Sequence, residues 1–100
     1  MTQCPLPLTR EMLQDPVDLR IEDEPLDFSR AKKHADRRAR ELYGYPMLLA
    51  WFDRKTGQFS PNLVCCGEDK PTWLTYAESR GGDLVIDING EEFVFVYRRG

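Results

Sequence analysis

One hundred residues, 41% hydrophobic and 31% charged, suffice for one ordinary globular core and exclude an intrinsically disordered chain. No apolar run approaches the roughly 18 residues of a membrane span. A formal net charge of −3 with a pI near 5.1 argues against a dedicated nucleic-acid module, since such domains tend to be basic.

The charge is unevenly placed. Residues 1–29 hold seven acids against Arg10 and Arg20, a local net charge of −5, whereas residues 30–41 hold six bases against Asp36 and Glu41, a local net charge of +4. The first segment, 1–26, is an acidic arm punctuated by Pro5, Pro7, Pro16 and Pro25. It reads as neither a signal nor a transit peptide. Thr9 can cap one helical turn through Leu13, and Val17, Leu19 and Ile21 alternate with Asp18, Arg20 and Glu22 at the two-residue period of an edge strand.

Residues 27–100 read as a single α+β domain. Phe28, Ala31, Ala35, Ala39 and Leu42 recur at steps of three or four, which predicts a helix over 29–43 with an alanine-lined buried side. Asp27 or Ser29 serves as its N-cap, and Gly44 suits the residue after the last turn. Arg30, Lys33, Arg37 and Arg40 fall on the opposite, solvent-facing side.

From Pro46 onward the chemistry is that of strands. Met47–Phe52 is almost wholly apolar, Asp53–Gly57 is a hairpin loop, and a return strand follows from Gln58 to about Val64. Cys65–Pro71 is a polar loop. Trp73–Ser79 reads as a third strand, turned by Gly81-Gly82. Asp83–Ile88 is a fourth strand, with Leu84, Ile86 and Ile88 on one face and Val85 and Asp87 on the other. Asn89-Gly90, the strongest short hairpin signal in the chain, leads into a fifth at Phe93–Tyr97. Short links imply neighbouring antiparallel strands. The expected fold is α+β: one amphipathic helix packed on an antiparallel β-meander of about five strands, preceded by the arm. One helix covers one face of such a sheet, yet Met47, Leu49, Trp51, Val94 and Val96 place apolar groups on both. Either the arm folds over the second face or another copy does.

Three strings, Pro46–Gly57, Cys65–Pro71 (CCGEDKP) and Glu78–Asp83 (ESRGGD), carry a resemblance. On them the stretch Asp27–Arg98 resembles a small uncharacterised family of roughly 100-residue proteins found in anaerobic bacteria and archaea. That resemblance implies no activity and supplies no catalytic residues, and the arm lies outside it.

The residues themselves offer few sites. Cys4, Cys65 and Cys66 are odd in number with two adjacent, which is no disulfide framework, and they read as reduced thiols of a cytoplasmic protein. Cys65-Cys66 is a candidate thiol site for redox or metal chemistry, but side chains of adjacent residues in a strand diverge and chelate poorly. His34 has no triad-like partner in sequence. Asp87 stands out among the acids because it alternates with inward-facing isoleucines. Arg30, Lys33, Arg37 and Arg40 form a stripe that can track phosphates, and Trp51 and Trp73 are candidate contact aromatics. No catalytic constellation, metal set or cofactor motif is complete. The leading expectation is a non-catalytic interaction or ligand-binding module that self-associates through a sheet face or strand edge, with a thiol site and weak nucleic-acid binding as alternatives.

Overall fold

The helix expected over 29–43 forms as α1, Phe28–Tyr43, in the computed structural model, which describes residues 8–61 and 71–99. The Asp27 carboxylate accepts from the Arg30 backbone N–H at 2.9 Å, satisfying one of the donors that a first turn leaves open. Gly44 ends the helix at φ +79°, where a side chain would be strained, and its N–H donates to Arg40 O at 2.9 Å. Ala31, Ala35 and Ala39 are completely buried. Methyl-sized groups one turn apart let the helix axis lie close on the sheet.

That sheet has five strands in the order β1-β4-β5-β2-β3, with β1 at Val17–Leu19, β2 at Pro46–Asp53, β3 at Gln58–Ser60, β4 at Leu84–Ile88 and β5 at Phe93–Arg99. It is mixed and not an antiparallel meander. β2 pairs antiparallel with β3 and β5, and β4 with β5, but β1 runs parallel to β4 with Val17 opposite Ile86. The arm joins the sheet beside a strand more than sixty residues further along, so no hairpin dictates its direction.

Trp73–Ser79 departs from the strand expected there as well. This segment is no strand but helix α2, Thr72–Ser79. Pro71 O accepts from Leu74 and Thr75 N–H at 3.1 Å each, so the backbone finds its partners without a sheet. The chain leaving α2 passes close to β5. A Cβ at Gly82 would stand 2.8 Å from both Ala77 O and Val96 Cγ1, so residue 82 must lack one for that approach.

Strand alternation then sorts the core into two layers. Leu84, Ile86 and Ile88 of β4 and Phe93, Phe95 and Tyr97 of β5 pack under the alanines of α1. Val85, Val94 and Val96 face the other way, against Trp73, Leu74 and Ala77 of α2 and against Leu8 and Leu13 of the arm. A register shift between Leu48 and Ala50 makes Leu49 an extra residue in β2. It lets Leu48 and Trp51 join the α1 layer while Ala50 and Phe52 join the other.

Apart from Met47, which stays exposed, the apolar content on both faces is met within the chain, by α1 on one side and by α2 and the arm's 3-10 turn at Arg10–Met12 on the other. Side chains from elsewhere in the chain tie the arm down. Arg54 donates to Leu8 O at 3.0 Å and to Glu91 O at 2.9 Å. The Asn89 side chain accepts from Ile21 N–H at 2.8 Å and donates to Ile21 O at 3.1 Å. Asn89 and Gly90 both take positive φ in the β4–β5 turn, as the Asn-Gly signal requires. No helix among the described residues is long and apolar enough to cross a membrane.

Candidate functional site

The outer side of α1 separates its charges. On the flanks, Lys32 Nζ pairs with Asp36 at 2.8 Å and Arg38 Nη1 pairs with Glu41 at 3.0 Å. Asp36 is further committed, because Tyr97 OH donates to its other oxygen at 2.6 Å from the core side. Burial of that phenol, together with the hydrogen bond to Asp36, pushes its pKa well above the usual tyrosine range. Both acids of the helix are thus occupied away from its crest. Along the crest stand Arg30, Lys33, Arg37 and Arg40, all exposed, and none pairs with a carboxylate among the described residues. Arg30 makes one long contact, donating to Pro25 O at 3.2 Å. From Arg30 to Arg40 the helix rises about 15 Å at 1.5 Å per residue, so the row presents cations about one turn apart along an extended line.

At its N-terminal end the row lines a shallow cavity of about 260 Å³, walled by Glu24, Arg30, Lys33, His34 and Arg37. Glu24, from the loop before α1, accepts from His34 Nε2 at 2.7 Å. The acidic arm therefore meets the helix through Glu24 and His34 and leaves the three cations beside them unneutralised.

A second cluster lies on the opposite face of the sheet. Asp87 has no exposed surface, and its carboxylate meets Arg10 Nη1 at 2.9 Å. Arg10 reaches it from the arm while holding Asp18 of β1 through two bonds of 2.6 and 2.8 Å, with a Glu91 oxygen 3.6 Å away. The Arg10 guanidinium, hydrogen-bonded to Asp18, holds that carboxyl below the ordinary aspartate range. Asp87 moves the other way, to about 7, because burial penalises its charge and because it hydrogen-bonds the Glu91 carboxyl. Asp87 also accepts from the Glu91 backbone N–H, and the Arg10 guanidinium lies over both carboxyls. With Asp87 buried, this arrangement latches the arm to β4.

The remaining candidates are dispersed. Trp73 is only 2% exposed and stacks on Phe52, with centroids 5.6 Å apart and planes within 3°, so it is a core residue of α2. Trp51 is half-buried against the Phe28 ring at 4.4 Å on the α1 side. Cys4, Cys65 and Cys66 lie outside the described residues. Among the described residues no group of three His, Cys, Asp or Glu could hold a metal ion. Reading the sequence alone missed Glu24 and Arg10: each partner lies far away in sequence or across a turn, and neither pairing has a fixed spacing.

The fold and its exposed helix define a small α+β domain, a mixed sheet between two helices with a bare row of cations on the larger one. The chain belongs to a family described as a domain of unknown function, DUF5619, whose model matches residues 14–97. A protein of the archaeon Archaeoglobus fulgidus, described as uncharacterised, is 37% identical over 83 residues, covering 83% of this chain and 87% of the relative. The crystal structure of a protein from the same species, described as novel, matches with a TM-score of 0.72 at 32% identity, covering 88% of this chain and 96% of that one. The expected family membership is thereby shown, and the match begins within the arm, at residue 14, and not at Asp27 as expected.

Proposed function

We propose that this domain is a non-catalytic binding module that takes a phosphate-rich partner on the exposed row Arg30, Lys33, Arg37 and Arg40. The observation that carries the reading is the segregation on α1: the helix's own acids neutralise its flanking bases and leave the crest bare. Three of the four cations are arginines, whose planar forks match phosphate oxygens in pairs. The net negative charge of the chain resides elsewhere, and at physiological salt its repulsion is screened beyond about 8 Å.

Fluorescence anisotropy with short labelled RNA and DNA tests this. On single strands, four neutralised phosphates predict a slope of log affinity against log salt of about −3. Replacing Lys33 and Arg37 by glutamate together is expected to weaken binding by about tenfold or more and to halve that slope. Both side chains are exposed, so stability should stay within about 0.5 kcal/mol of the parent. Binding with no salt dependence, or unaffected by the double reversal, would remove the reading.

A second reading, self-association, is favoured by one observation. Leu42, Tyr45 and Met47 are 41%, 85% and 48% exposed around the end of α1 and the start of β2. The outermost strands β1 and β3 are only three residues each, which discourages edge pairing, so the apolar patch is the better contact. Light scattering at micromolar concentration should then show a dimer that Tyr45→Glu dissociates, and a strictly monomeric particle would end the idea. A cytoplasmic setting fits the odd number of cysteines.

A further inference from the structure

Resting on that reading, we infer that the cavity at the N-terminal end of the row is a subsite for a terminal phosphate, and that Glu24 in its wall is the protein's own competing anion. Arg30, Lys33 and Arg37 line this cavity together with His34, and Glu24 is the single acid among its walls. Glu24 comes from the loop preceding α1 and not from the helix, so its carboxylate can leave without disturbing a helical bond. It bonds His34 and no cation of the row, at 2.7 Å, and the two side chains are 38% and 26% exposed, so solvent and solutes reach both.

The exchange is chemically balanced. A phosphate oxygen accepts the same His34 N–H that the carboxylate accepts, while its other oxygens meet guanidinium and ammonium donors left unpaired in the free protein. A terminal phosphate carries up to two charges where a backbone diester carries one, so among three cations it gains most from displacing a single carboxylate. Glu24 thereby sets a threshold: internal phosphates of a strand pass along the row, and a terminal phosphate displaces the resident acid.

Calorimetric titration with pyrophosphate, with a 5′-phosphorylated oligonucleotide and with the same oligonucleotide lacking that phosphate separates the contributions. Glu24→Gln is expected to tighten pyrophosphate and phosphorylated-end binding by about fivefold, with no comparable gain for the unphosphorylated strand. Glu24→Ala should do the same, which guards against glutamine keeping the bond to His34. Tightening for pyrophosphate alone identifies a free phosphate compound as the ligand, and tightening for the phosphorylated strand alone identifies a nucleic-acid end. Either supports the subsite. Unchanged or weaker affinity in both variants overturns it, while salt-dependent binding of the unphosphorylated strand would still uphold the wider reading. Loss of all binding in the parent protein overturns both.

Discussion

Trp73→Ala is expected to lower the unfolding free energy by about 3–5 kcal/mol, the cost of removing a fully buried aromatic and leaving its cavity. Trp73 is the largest side chain enclosed in the layer beneath α2, stacked on Phe52 and packed in one cluster with Leu74, Ala77 and Val94. A domain of this size holds roughly 5–15 kcal/mol in total, so the change removes a large part of its stability. Urea denaturation should show a lower midpoint with nearly unchanged slope, because the folded surface is the same. Trp73→Phe should recover much of the loss by keeping a flat ring against Phe52. A loss under about 1 kcal/mol, accompanied by weaker ligand binding, would instead make Trp73 a contact residue.

The next largest effect lies at Asp87. Its folded-state pKa is raised above the unfolded value of 3.8 to about 7, so between these values the folded chain keeps a proton that the unfolded chain has lost. The folded state then binds more protons, and stability falls as pH rises through this window, by a few kcal/mol in all. Asp18 contributes oppositely and lower on the scale. Its depressed pKa gives a contribution present above the unfolded value and lost as pH falls below it. Asp87→Asn should abolish the fall between about pH 4 and 7, because an amide does not titrate. Its NH2 replaces an oxygen that accepts from either Glu91 N–H or Arg10, and so loses one of those bonds at every pH. A parent profile flat across that window, or a fall that persists in Asp87→Asn, would show that Asp87 does not hold the proton.

How far the sequence revealed these features depended on whether their cause was local. The α1 stripe, its caps and its outward cations were legible because a sixteen-residue helix repeats its pattern for more than four turns. The Asn89-Gly90 turn was legible because only a few residue types tolerate positive φ. Eight residues of α2 gave too short a repeat: Thr72, Trp73, Thr75 and Tyr76 favour strands, and the helical spacing of Trp73 and Ala77 occurs once. The parallel pairing of β1 with β4 is long-range, and nothing within Val17–Leu19 states its direction. At the site, the four cations could be listed from sequence, but their lack of partners could not. That depends on Asp36 being drawn to Lys32 and Tyr97, and Glu41 to Arg38. Asp87 stood out as an acid in an apolar strand, while Arg10, 77 residues away, had no local signature.

One side of α1 is buried through its alanines and the other offers uncompensated positive charge. The most direct test is to map backbone and side-chain NMR shifts of the labelled protein during titration with a short oligonucleotide at low salt. The expected result is a contiguous set of changes at Arg30, Lys33, His34, Arg37 and Arg40, fading as salt is raised, with Trp73 and the β4–β5 core unmoved. Changes centred on the Arg10–Asp87 latch or on the Tyr45–Met47 end, with the α1 row silent, would contradict it.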